Sequence, residues 1–280
     1  MTDTVSPVAA HYARGDLATR ILDSMAAAGK DVDALTADDL APVDEFHIRG
    51  RQATAELAEL ARIAAADRVL DVGCGIGGPS RFLAATRGCR VTGVDLTAEY
   101  CDVAAMLAER TGLAERVAYR QGDALALPYD AASFDVVWTQ HAQMNIADKP
   151  RLYGEMFRVL KPGGRLAFYD ILAGPEGPIH FPVPWAPTPD ISDLIVPEAL
   201  RALLQGIGFE IAEWRDATAP AVEWFHEARA KAAEAAKAGK EPLTSLRILA
   251  GEGWRELAAN MVRNLEEGRI VLVQAVAGKG

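Results

Sequence analysis

Apolar and polar positions through the middle of the chain fall into a repeating strand-then-helix pattern. Five short apolar runs rich in Val, VLDVG (69–73), RVTGVDL (90–96), VAYRQGD (117–123), FDVVWTQ (134–140) and RLAFYDI (165–171), are separated by helix-compatible stretches. Near-continuous apolar strands alternating with helices predict a parallel sheet covered on both faces. Residues 7–65 read as helical, with TADDLAPVDEFHIRG (36–50) as an irregular connector. After the fifth run, AGPEGPIHFPVPWAPTPD (173–190) is dense in Pro and Gly and predicts a loop lying across the body of the protein. A helix over Pro197–Gly206, a strand over 209–218, an alanine-rich helix over 223–240 and a last strand over 269–278 complete the reading.

Composition narrows the function. The 280 residues are 50% apolar, enough for a full core, and the net charge of −10 with no basic cluster argues against a nucleic-acid partner. No uncharged apolar stretch is long enough to cross a bilayer, and MTDTVSPVAAHYARGD lacks an export h-region, so a cytoplasmic protein off the membrane is expected. Cys74, Cys89 and Cys101 have neither disulfide density nor C-x-x-C spacing, which suits a reducing compartment and predicts no structural metal.

The chemistry concentrates where the first strand ends. In VLDVGCGIGG (69–78), Gly73, Gly75 and Gly78 satisfy the dinucleotide fingerprint, while Asp71 followed by Gly73, Gly75 and Gly77 fits the first motif of S-adenosylmethionine-dependent methyltransferases. Asp95, closing the second run, can accept both hydroxyls of a ribose in either case, or serve as an ordinary helix N-cap. Asp123, at the end of the third run, can take an adenine amino group, with the Ala124 N–H on a ring nitrogen.

Taken in order, VLDVGCGIGG, VTGVDL, GDALALPYDAASFDVV and RVLKPGGRLAF resemble the class I S-adenosylmethionine-dependent methyltransferases over roughly residues 50–172. The resemblance implies a Rossmann-like, seven-stranded, mostly parallel α/β sheet with an antiparallel last strand, a helical N-terminal cap over 1–50, and a methyltransferase domain over 51–280. Lid segments are expected around 173–190 and 220–265. S-adenosyl-L-methionine is the implied cofactor, held by Asp71, Gly73, Gly75 and Gly77, then by Asp95 and Leu96, and finally by Asp123, Ala124 and Gln140.

The stretch VVWTQHAQMNIADKPRLYGEMFRVLKPGG is similar to the sarcosine and dimethylglycine N-methyltransferase branch, which carries an acidic residue where this chain has His141. The first expectation is therefore methyl transfer to the nitrogen of an amine or amino-acid derivative. O- or C-methylation of an aromatic or polyketide-like metabolite is the alternative, and a non-catalytic cofactor-binding regulator is the reading from another class.

Methyl transfer needs a nucleophile held in line with the sulfonium and stripped of its blocking proton. His141, as base or orienting group, Gln140 and Tyr12 are the catalytic candidates, with Tyr12 reaching over the cofactor from the N-terminal helix. Trp138, His47, His180 and Trp185 are expected to line the substrate, and Arg49 or Arg51 to clamp a substrate carboxylate. Phe181, Trp224 and Phe225 are candidate aromatic walls. The expected partner is a small molecule, and a homodimer stays open.

Overall fold

The computed structural model describes residues 7–12, 15–237, 247–248 and 253–280. A seven-stranded sheet runs through the centre in the order β3-β2-β1-β4-β5-β7-β6. The first four strands are β1 (Arg68–Val72), β2 (Arg90–Asp95), β3 (Val117–Gln121) and β4 (Phe134–Gln140). They pair in parallel, the apolar runs of β1, β2 and β4 filling the middle and the more polar β3 lying at the edge. β5 (Leu160–Ala173) continues the parallel set, and β7 (Ile270–Lys279) runs antiparallel between it and β6 (Phe209–Asp216). This is the Rossmann-like methyltransferase architecture expected from the sequence, the antiparallel last strand included.

Helices cover both faces. α5 (Gly78–Arg87) and α6 (Ala98–Arg110) connect β1 to β2 and β2 to β3, and α7 (Lys149–Val159) leads from β4 to β5. The Asp148 carboxylate caps α7 by accepting from the Arg151 N–H at 2.9 Å. α8 (Pro197–Ile207) precedes β6, while α9 (Thr218–Lys237) and α10 (Trp254–Glu266) lie between β6 and β7. One apolar cluster on one sheet face includes Trp138, Leu83 and Leu272, and a second on the other includes Phe168, Tyr153 and Leu204.

The N-terminal segment folds as α1 (Pro7–Tyr12), α2 (Leu17–Ala27), α3 (Ala37–Asp44) and α4 (Gly50–Leu60). The stretch 36–50 is thus not a plain connector. Thr36 and Asp39 form a reciprocal capping box that starts α3 despite Pro42 inside it. Leu17, Ile21 and Leu40 pack with Val103 and Leu107 of α6. α3 is fastened to α5 by Arg81 Nη2 and Asp44 Oδ2, 2.7 Å apart with both side chains fully buried.

Two further departures are local. Residues 122–133, between β3 and β4, form a loop rather than a helix, with Asp123 folding back to accept from the Leu125 N–H at 2.8 Å. The Lys161–Gly164 turn belongs to β5 itself, which pairs with β4 first at Leu160 and again from Arg165. No helix among the described residues is long and apolar enough to cross a membrane.

Candidate functional site

The strand order reverses between β1 and β4, and ligands of open α/β sheets bind at the carboxyl ends of the strands at such a point. A cavity of about 590 Å³ opens there, within the usual range for small-molecule sites. Its inner half is walled by the β1 turn, by Asp95–Thr97 after β2, by Gly122–Leu125 after β3 and by Gln140–Ala142 after β4. Its outer half is closed by α1, the proline-rich loop, α9 and α10.

The β1 turn is tight because its glycines adopt left-handed backbone, Gly73 at φ 72° and Gly75 at φ 52°. The Gly75 N–H donates to Asp95 Oδ2 at 2.9 Å, and the Thr97 N–H donates to Oδ1 at the same distance. The Thr97 hydroxyl and the Leu96 N–H also act on this carboxylate, which lines the cavity where two vicinal hydroxyls would meet it. Burial pushes the Asp95 carboxyl up from its usual range, against the pull of those backbone donors. Asp71 accepts from the Ser80 hydroxyl at 2.6 Å, and burial raises it to about 7.

Gln140 is oriented from behind. The Trp138 indole N–H donates to its Oε1 at 3.0 Å, and Thr54 Oγ1 lies 3.3 Å from the same oxygen. That fixes which end of the amide is oxygen and leaves Nε2 buried with no partner among the described residues. A buried unpaired donor costs free energy that a bound acceptor recovers.

His141 follows in left-handed backbone at φ 47°, its N–H donating to the Tyr169 carbonyl at 2.9 Å. Its Nε2 is buried and has no partner among the described residues. The ring lies 4.9 Å from Tyr169 and 5.9 Å from His47, centroid to centroid. Burial first, and His47 second, hold its pKa well below the usual imidazole range, so the ring is neutral near pH 7. His47 Nε2 sits 3.0 Å from the Gly50 carbonyl and carries the proton there, and burial brings its pKa down to about 4.

Most of the residues expected at the site are brought together. Asp71, Gly73, Gly75, Asp95, Leu96, Asp123, Ala124, Gln140 and His141 line the cavity, as do Tyr12, His47 and Trp185. The other expectations are corrected. Trp138 is fully buried in the sheet core and reaches the cavity only through Gln140. Arg49 is turned away, its two terminal nitrogens donating to the Glu56 carboxylate at 2.7 and 2.6 Å, and Arg51 is spent on Glu45 and Asp38. His180 faces α10, bonded to Glu267 at 2.8 Å, with its backbone held by Asn264. Gly77 lies behind the turn, where a Cβ would fall 2.3 Å from the Tyr119 hydroxyl oxygen.

Asn145 was not anticipated, although a lone polar residue between Met144 and Ile146 just past β4 was a usable signal. Trp224 and Phe225 of α9 do line the outer half, with Met261 of α10. Phe181 packs against the core instead.

The inner half meets the demands of an adenosyl cofactor. The Asp95 carboxylate stands where the ribose would lie, glycine backbone leaves room for the amino-acid arm, and an unpaired amide donor waits beside them. Residues 70–168 match the family described as "Methyltransferase domain". Over 134 residues the chain is 37% identical to methyltransferase GfsG of Streptomyces halstedii, a match covering 48% of each protein. The matches span between about a third and a half of the length of the first curated relatives. Among solved structures, the [4+2]-cyclase SpnF superposes with a TM-score of 0.66 at 25% identity, over 94% of this chain and 93% of that one. A putative sarcosine dimethylglycine methyltransferase from Galdieria sulphuraria gives a TM-score of 0.68 at 20% identity, over 94% and 98%. Residues 70–168 therefore constitute a methyltransferase domain, set in the seven-stranded Rossmann-like fold of the class I S-adenosylmethionine-dependent methyltransferases.

Proposed function

We propose that this chain transfers the methyl group of S-adenosyl-L-methionine to the oxygen of an uncharged, largely apolar small molecule, a phenol or an enol. The observation that carries the reading is the outer half of the cavity. Trp185, Trp224, Phe225 and Met261 wall it, no lysine or arginine lines the cavity among the described residues, and its floor holds two neutral imidazoles. Among the described residues no carboxylate clamp for an amino-acid acceptor faces the cavity, since Arg49 and Arg51 are already paired within the protein.

The cofactor, when bound, supplies an electrophilic methyl and a neutral leaving group. Asp95 would take its ribose hydroxyls, Asp123 and the Ala124 N–H its adenine, and the Gly73–Gly75 backbone its amino-acid arm. Gln140 Nε2, its oxygen anchored by Trp138, donates to whatever acceptor atom lies beside it. His141 Nε2 then receives the hydroxyl proton. A ring with so depressed a pKa is a weak base, which favours the more acidic hydroxyl of a phenol or enol over an aliphatic alcohol. The apolar walls exclude water and hold the acceptor in line, from which much of the rate comes. Three free, buried cysteines suit a cytoplasmic setting.

The test is a radiolabelled-methyl screen of phenols and enols against amines and amino acids. Label on the hydroxyl compounds is expected. Label on amines alone overturns the oxygen reading, and binding of S-adenosylmethionine with label on neither panel overturns the transferase.

A further inference from the structure

Asn145 sits in the turn between β4 and α7, four residues beyond His141, and its amide is engaged at both ends. Oδ1 accepts from the Tyr12 hydroxyl of α1 at 3.0 Å. Nδ2 donates to the carbonyls of Trp185 and Ile191 at 2.8 and 2.7 Å, spanning the last part of the proline-rich loop. Trp185 is pinned a second time, its indole N–H donating to Ser192 Oγ at 2.9 Å, and is 1% exposed. His11 Nε2 lies 3.1 Å from the Pro184 carbonyl, a second tie between α1 and the same loop. Tyr12, Asn145 and Trp185 all line the cavity.

Only an uncharged amide suits this position. It offers one acceptor and two donors at once, whereas a carboxylate would face two carbonyl oxygens and an aliphatic side chain would leave three polar groups unpaired. We infer that Asn145 is a positioning residue for the methyl acceptor: it sets the spacing between the Trp185 wall and the turn bearing His141, and fastens Tyr12 over both. The inference rests on the acceptor reading above, since a ring held between Trp185 and His141 needs that spacing fixed. It registers three separate segments, α1, the β4 turn and the loop.

The experiment compares the full chain with its Asn145→Ala and Tyr12→Phe variants in two measurements. Hydrogen exchange should quicken over 7–12 and 183–192 together in Asn145→Ala, and over 7–12 alone in Tyr12→Phe. Calorimetry with 2-naphthol in the presence of S-adenosylhomocysteine should show the naphthol bound about tenfold more weakly by Asn145→Ala, the effect of one net hydrogen bond. S-adenosylhomocysteine affinity should change little, while Tm of Asn145→Ala falls because three polar groups lose their partner. Quickened exchange confined to the turn around residue 145, or equal weakening of naphthol and S-adenosylhomocysteine, overturns the inference. If Asn145→Ala does not fold, unchanged exchange over 7–12 in Tyr12→Phe overturns it. A wild-type chain that binds S-adenosylhomocysteine but no naphthol overturns the acceptor class, while the exchange pattern still decides the part played by Asn145.

Discussion

The Trp138 indole N–H donates to Gln140 Oε1 at 3.0 Å, so the largest side chain of the sheet core sets the direction of an amide at the cavity. Trp138→Phe removes that donor and lets the amide turn over. Turnover should fall about tenfold, the loss of roughly one hydrogen bond of positioning, measured by initial rates where the variant is fully folded. An unchanged kcat would mean that Gln140 needs no anchor.

Asp95 holds the Gly75 and Thr97 N–H groups as well as facing the cavity. Asp95→Ala should weaken S-adenosylmethionine binding by about 1.5–3 kcal/mol, the size of a charge-assisted hydrogen bond. Calorimetry on the folded variant reads it, and unaltered affinity would remove the ribose assignment.

His141→Ala should lower kcat by about 10²-fold or more, a typical contribution of a positioned base, while cofactor affinity moves less than twofold. Single-turnover rates beside cofactor titrations separate the two. Equal rates in variant and wild type would refute a role in proton transfer.

His47 ties stability to pH. Its pKa is held near 4 in the fold, so between that value and about 6.5 the unfolded chain takes up a proton that the folded one refuses. The stability it contributes is full above pH 6.5 and drains away as pH falls to 4. Asp71 and Asp170, raised to about 7 by burial, act in the opposite sense: what they contribute is full below the ordinary carboxylate range and is lost as pH rises from there to 7. The His47→Gln variant should therefore gain on wild type by about 3 kcal/mol as pH falls from 6.5 to 4, read by urea denaturation. A constant difference between the two proteins would contradict the buried neutral ring.

Gly78→Ala would place a Cβ 2.2 Å from the Asp44 carbonyl oxygen, which is backbone and has little room to retreat. Destabilisation of about 1–3 kcal/mol is expected from thermal melts, more if α3 is displaced from α5. A melting temperature equal to that of wild type would show the contact to be soft.

The sheet was legible because most parallel strands are written as their own apolar run, and the carboxyl ends of β1, β2 and β3 carry Gly73, Asp95 and Asp123. Asp95 and Asp123 could be placed at the cavity from sequence since strand ends fix the site. Depth along a strand was not legible. Trp138 and Gln140 are two residues apart and share a face, but only the second reaches the opening. Long-range pairing was equally hidden. His180 finds Glu267 across 87 residues, and Arg49 finds Glu56 one helix face away, so neither is left for a ligand. Asn145 escaped because its three partners lie 133, 40 and 46 residues away.

The Arg81–Asp44 pair bears on how freely this protein can be recombined. Sequence places a seam near residue 50, yet the guanidinium in the first turn of α5 is neutralised by a carboxylate from the other side of that seam, out of reach of water. A chimera joining residues 51–280 to foreign N-terminal helices would strand that charge in a low-dielectric interior, a loss of about 3–5 kcal/mol. New acceptor pockets are therefore better sought by exchanging residues on α9 and α10 than by replacing the N-terminal helices wholesale.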